Sequence, residues 1–349
     1  WEIRRNLTAS VFTDTELEHD TEYHYRIQPA EYPEIVSEPG AAVPSRFDDG
    51  VSCYRDTTSY AYGVAVAGSY AYVADHYSGL AIIDISDPTD PDPPTPVYRN
   101  TTDSATGVAV AGSYAYVTCY ASGLGIIDIS DPTNPGTPVY RDTTGEARGV
   151  AVGGSYAYVA DGDSGLAIID ISDPTDPDPP TPVYRNTTDS ATGVAVAGSY
   201  AYVTCYASGL GIIDISDPTN PGTPVYRDTT GEARGVAVGG SYAYVADGDS
   251  GLAIIDISDP TDPDPPTPVY RDTTGEARGV AVAGPYAYVA SDSSGLAIID
   301  ISDPTDPDPP TPVYRNTADS ARGVAVAGSY AYVADFDSGL AIIKLWEEP

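Results

Sequence analysis

GVAVAGSYAYVADHYSGLAIIDIS, Gly63 to Ser86, is the stretch that decides the fold. It returns six more times, its leading glycine recurring at Gly107, Gly149, Gly193, Gly235, Gly279 and Gly323. A fixed period of this length marks a solenoid, a propeller or an array. Within one copy, Gly63 to Val66 and Tyr70 to Ala74 form two short apolar runs around the turn Ala67-Gly68-Ser69. Leu80 to Ile85 follows a loop at Asp75 to Gly79, and Val97-Tyr98-Arg99 follows the proline-rich stretch Ser86 to Pro96. Val-, Ile- and Tyr-rich runs punctuated by Gly, Pro, Ser and Asp read as strands, with no helical period anywhere. Four antiparallel strands per unit, each unit too small to bury its own faces, describe a propeller blade.

The ends of the array predict closure. A run of the outermost type, Val51 to Arg55, precedes any innermost run, and the last copy stops after its third run at Leu340 to Lys344. The orphan at the start supplies the strand missing at the end, which removes an open sheet edge. The expected fold is therefore all-β, a closed seven-bladed propeller over 51–345 with a split last blade. Residues 43–50 are expected to be a linker and 346–349 a tail. Residues 98–183 and 184–269 are identical, so the ring grew by copying a two-blade unit.

The repeat GVAV-x-G-x-YAYVAD-x-x-SGL-x-IIDISDP is similar to the LVIVD-repeat family of surface propellers, with Leu80 to Asp84 standing where the name motif falls. That resemblance implies an extracellular or cell-surface setting within a large multidomain protein, and it brings no catalytic residues. Residues 1–42 resemble the second half of a fibronectin type III domain, through Leu17, Thr21 and Tyr23 in the pattern where that family places its tyrosine corner. About 40 residues with open edges would not be stable alone. The chain, opening at Trp1, is expected to be a piece of something longer.

Charge narrows the partners. Asp and Glu number 51 against 16 Lys and Arg, a formal charge of −35, and Lys344 is the only lysine. Such a surface repels nucleic acid and anionic membranes and suits high salt. No apolar run approaches the ~20 residues of a membrane span. Cys53, Cys119 and Cys205 make no disulfide framework and are expected to be free thiols.

Two loop classes are candidates for chemistry. The loop after the second strand reads DHYSG, CYASG, DGDSG, SDSSG or DFDSG in different copies, and the residue before each leading glycine varies as well. These loops share one face of a propeller. The candidate ligand rim is Tyr62, Asp75, His76, Tyr77, Tyr120, Arg148, Tyr206, Arg234, Arg278, Arg322 and Phe336; variable loops on a rigid scaffold are where binding concentrates. On the opposite face, Asp87, Asp90 and Asp92 and their repeats offer oxygens within six residues, which suits Ca²⁺. The competing reading is a rigid acidic turn, and it is preferred here. His76 is the only histidine of the repeats, and no nucleophile elbow, zinc spacing or phosphate loop accompanies it. The alternating Tyr70/Tyr72 pairs resemble a sugar-binding stripe, but their recurrence mid-strand in every copy favours packing between blades.

The expected function is a non-catalytic interaction or scaffold module without a cofactor, Ca²⁺ aside. Its partners would be other surface proteins or modules, with carbohydrate as the alternative ligand. A Ca²⁺-dependent or lectin-like propeller is the second reading and a channel-mouth hydrolase the third.

Overall fold

A computed structural model describes residues 51–345 apart from 91–93, 177–178, 263–265 and 307–309. The fibronectin-like segment, the linker and the tail expected from the sequence lie outside the described residues, as does Asp92.

Seven four-stranded antiparallel sheets follow one another, 28 strands in all. In the first blade the innermost strand is Gly63–Ala67, followed by Tyr70–Ala74, Leu80–Asp84 and the short outermost Val97–Arg99. The register runs Gly63 opposite Ala74, Tyr70 opposite Asp84 and Leu80 opposite Arg99. The last blade is Gly323–Ala327, Tyr330–Ala334 and Leu340–Lys344, completed by Val51–Arg55 from the other end of the repeats. Arg55 pairs with Leu340 and Cys53 with Ile342.

The core lies between blades rather than within them, because each sheet is one layer with two apolar faces. Along the second strand of the first blade, Tyr72 and Ala74 pack toward the second blade while Ala71 and Val73 pack toward the last. Seven such clusters occupy the seven junctions, including the one where Tyr332, Leu340 and Ile342 meet Ala61, Ile83 and Ile85. The ring is closed. Tyr72, Tyr116 and their counterparts are 0–3% exposed, so these rings pack between blades as expected.

At the axis, the leading glycines form a ring of their own. A Cβ on Gly63 would lie 3.1 Å from the Gly107 Cα, and one on Gly323 would lie 3.1 Å from the Gly63 Cα and 2.7 Å from the Tyr62 carbonyl oxygen. None of these glycines has a positive φ, so space and not backbone freedom requires them. At the periphery, the outermost Arg is the fastening. Arg55, Arg141, Arg227, Arg271 and Arg315 are 4–5% exposed. Arg141 Nη2 donates to the carbonyls of Asp173 and Pro174 in the next blade, each at 3.4 Å. Arg271 Nη2 reaches the Asp306 carbonyl at 3.0 Å, and Arg99 and Arg185 donate to Pro135 and Pro221. A buried guanidinium needs such acceptors, since an unpaired one carries a heavy desolvation cost. Cys119 and Cys205 are buried free thiols, and burial pushes them up to about 12 and about 11.

Replacing Gly323 with Ala is expected to force the last and first innermost strands apart and destabilise the ring by about 1–3 kcal/mol, the usual cost of overpacking. Thermal or urea unfolding checks this; an unchanged midpoint would mean that the junction is looser than the structure has it.

Candidate functional site

The two candidate loop classes turn out to have different duties. On the Asp-Pro face the first aspartate of each run closes its own turn. Asp87 Oδ1 accepts from the Thr89 amide at 2.9 Å and the Thr89 hydroxyl at 2.7 Å, and Asp131, Asp173, Asp217, Asp259 and Asp303 repeat the arrangement. Those bonds, with Arg55 nearby, hold the Asp87 carboxyl below the usual range. Among the described residues no three His, Cys, Asp or Glu side chains gather as a metal would require. What the face supplies to the fold is carbonyl oxygens, the acceptors for the buried arginines of the preceding blade.

On the opposite rim, the loop after the second strand is tied by its backbone to the next blade. The amide of Ala61 donates to the Phe336 carbonyl at 3.0 Å, and Ala105 to His76 at 2.9 Å. Tyr120–Ala147, Gly162–Ala191, Tyr206–Ala233, Gly248–Ala277 and Asp292–Ala321 form the remaining bridges of the circuit. Six of the seven bridging residues sit in the left-handed region, and Tyr120 makes its bridge without a positive φ. Gly162 and Gly248 adopt φ of 55° and 56°, while His76, Tyr206, Asp292 and Phe336 adopt 38°, 32°, 40° and 37°. Non-glycine residues hold such angles at a cost of about 1 kcal/mol each, and they persist where the surroundings over-determine them. The bridging atom is backbone, so the side chain above it is free to differ from blade to blade.

Asp75 requires a correction. It was grouped with the rim, yet it is fully buried: it accepts from the Thr57 hydroxyl at 2.7 Å and the Ser59 amide at 3.1 Å, fixing the segment that enters its blade. Asp161 and Asp247 do the same with Thr143 and Gly145, and with Thr229 and Gly231. Burial raises the pKa of all three carboxyls, against the bonds that favour their charge.

The remaining candidates divide into two sectors. At the junction of the last and first blades stands an aromatic group. Tyr60 stacks on Phe336 with centroids 4.5 Å apart and planes 5° apart, Tyr62 meets Phe336 edge-on at 5.7 Å, and His76 meets Tyr77 at 4.0 Å. Tyr77 is 76% exposed. Burial lowers the His76 pKa against the pull of the Asp103 and Asp75 charges, which keeps the ring neutral at neutral pH.

The second sector is a chain of ion pairs. Arg234 bridges Glu232 and Glu276 at 2.6 Å each, and Arg278 bridges Glu276 at 2.5 Å and Asp292 at 2.8 Å. Arg322 lies 3.9 Å from Asp292 and 4.8 Å from the centre of the Phe336 ring. Burial works against the Asp292 charge, but the bonds from Arg278 and Ser320 and the two arginine charges outweigh it and hold its carboxyl below the usual range. Among the described residues Arg148 pairs only with Glu146. The difference from Arg234 comes from the neighbour, since the position of Glu276 in the sixth blade is taken by Ser190 in the fourth. Tyr120 is 37% exposed, and Tyr206 donates to Glu232.

Sequence reasoning missed Tyr60, Glu146, Glu232, Glu276, Asp292 and Asp337. For Tyr60 and the three glutamates the signal was available, because the residue three before each leading glycine is Tyr, Ser or Glu, varying as the other rim positions vary; Asp292 and Asp337 lie within the variable loops SDSSG and DFDSG themselves.

A model of the LVIVD repeat matches residues 59–92, 103–139, 144–178, 189–225, 230–264, 274–308 and 318–344, so the chain belongs to the LVIVD repeat family. No curated protein matches it. The computationally designed Ika8 protein shares the architecture at 8% identity and a TM-score of 0.59, over 84% of this chain and 99% of that one. U3-55K does so at 11% identity and a TM-score of 0.67, over 85% and 98%. At such identities the likeness extends to the fold alone.

Because the folded-state pKa of His76 is lowered, the unfolded chain binds its proton more readily. The contribution is fully present above the unfolded value near 6.5 and is lost as pH falls through the folded one. His76→Gln is therefore expected to flatten the stability–pH curve of the wild type below about pH 6.5. Parallel curves for the two proteins would contradict the packing described.

Proposed function

We propose that this LVIVD propeller is a non-catalytic interaction module of a secreted or cell-surface protein, and that its contact face is the rim carrying the loops after the second strands. The carrying observation is that backbone bridges fasten the ring at this rim while the side chains above them diverge into an aromatic sector and an ion-pair sector. Two blades identical in sequence present different pairings there because their neighbours differ. That arrangement provides one asymmetric surface on a symmetric frame, which suits recognition of a partner.

Chemistry has less to draw on. His76 packs against Tyr60, Tyr62 and Tyr77. Cys119 and Cys205 are buried thiols held far above the range where a thiolate forms. The formal charge of −35 supports an extracellular or high-salt setting and disfavours nucleic acid and anionic membrane as partners. The reading includes no cofactor, and its partners are other surface proteins or modules.

The full chain is expected to retain cell-envelope material from its source organism. Tyr77→Ser combined with Arg148→Ser, one exposed position and one half-buried rim position, is expected to abolish retention without lowering Tm. Undiminished retention would remove the rim from the account. Turnover of chromogenic esters or glycosides by the wild-type chain would replace binding with catalysis.

A further inference from the structure

The rim has one place where its chemistry is more specific than a contact surface needs. Between the last and first blades lies an open cleft of about 320 Å³, lined by Thr57, Thr58, Ser59, Tyr60, Tyr77 and Asp337. We propose that this cleft binds a neutral saccharide. The inference rests on reading the rim as a binding face and names the ligand class of one part of it.

The walls are two tyrosines. Their centroids are 6.3 Å apart and their planes are inclined at 57°. One face of Tyr60 is already covered by Phe336, and Tyr77 meets the His76 ring in a T-shaped contact at 4.0 Å. The rings are therefore held before any ligand arrives, which limits the ordering cost of binding. Two rings at this inclination cannot sandwich a flat heteroaromatic base. They suit a puckered ring, whose axial C–H bonds carry partial positive charge and settle on the negative face of an aromatic.

The polar lining fits the same ligand. The Asp337 amide is held by Asp319, and its carboxylate, which offers acceptor oxygens, has no bond to any described residue. The Thr58 hydroxyl shares a hydrogen with Ser78 at 2.7 Å, and Ser59 Oγ accepts from the Tyr77 amide at 3.3 Å, so the hydroxyls are oriented. A ligand that presents several hydroxyl donors around an apolar face matches this set. An anionic one does not, because Asp337 and the net charge of −35 repel it. The volume lies at the low end of the range for small-molecule sites, about 300–1,000 Å³, which suits a mono- or disaccharide.

The site is single. Where Tyr60 stands, the other blades carry Ser104, Glu146, Ser190, Glu232, Glu276 and Ser320. Where Tyr77 stands, they carry Ala121, Asp163, Ala207, Asp249, Ser293 and Asp337. Among the described residues only this junction sets two tyrosines beside a carboxylate, so one ring takes one ligand.

Isothermal titration of the full chain with maltose, cellobiose, lactose, mannobiose and chitobiose, and with glucuronate as the anionic control, tests the proposal. At least one neutral sugar is expected to bind with a stoichiometry of one. Its affinity is expected to fall by about tenfold or more in Tyr77→Ser and in Asp337→Ala and to stay unchanged in Tyr120→Ser. Tyr77 is so exposed that its replacement leaves the core intact. The proposal is overturned if no neutral sugar binds at millimolar concentration, if several bind per ring, if glucuronate binds best, or if affinity survives both substitutions. Loss of envelope retention in Arg148→Ser, without any sugar binding, would sink the saccharide while leaving the binding face in place.

Discussion

The backbone bond between the loop after each second strand and the segment entering the next blade is the constraint on which the rest depends. Phe336 to Ala61 is its last instance, and it joins the two ends of the repeats. A propeller blade has two apolar faces and no stability of its own. Its neighbours must be held at a fixed angle before the tyrosines, valines and isoleucines of the second and third strands can interdigitate. Three fastenings set that angle. The glycine ring brings the innermost strands into backbone contact, the carbonyl bridges pin the rim, and buried arginines pin the opposite face at the periphery. Each uses backbone atoms on at least one side, so each tolerates change in the side chains around it.

That tolerance connects the frame to its use. A bridge made by a carbonyl asks of its residue only a left-handed backbone, and two blades meet the demand with glycine. Four others accept strain and carry Tyr206, Asp292, His76 or Phe336 instead, while Tyr120 bridges without it. Strained side chains of different kinds, gathered on one rim, have no part in closing the ring, which Gly162 and Gly248 help to close equally well. On the proposed reading, their identity answers to what the rim meets. The duplicated unit makes the same point from another side: Arg148 and Arg234 have identical flanking sequence, and only Arg234 extends into a network, because Glu276 rather than serine faces it.

Much of the fold was legible because its signals are local and repeated. The strands fall where the apolar runs and turn residues put them, and the orphan run Val51–Arg55 announced the closure that its pairing with Leu340–Lys344 completes. The less legible features depend on atoms the sequence brings together only after closure. Asp75 reads as an exposed loop acid, but closing the ring packs the entering segment over it and turns it inward. The same closure brings Tyr60, just past the first strand Val51–Arg55, onto Phe336 from the far end, and no spacing rule foretells that pair. The first aspartate of each Asp-Pro run closes its turn, and that carbonyls of these runs receive a neighbour's arginine was not visible in any one repeat.

Native-state amide hydrogen exchange at the bridging alanines tests closure most directly. The account predicts that the Ala61 amide, at the junction made by the two ends, is protected to the same degree as those of Ala105, Ala191 and Ala277 within the continuous array. Rapid exchange at Ala61 alongside slow exchange at the other three would mean an open array, and the single aromatic cleft at that junction would go with it.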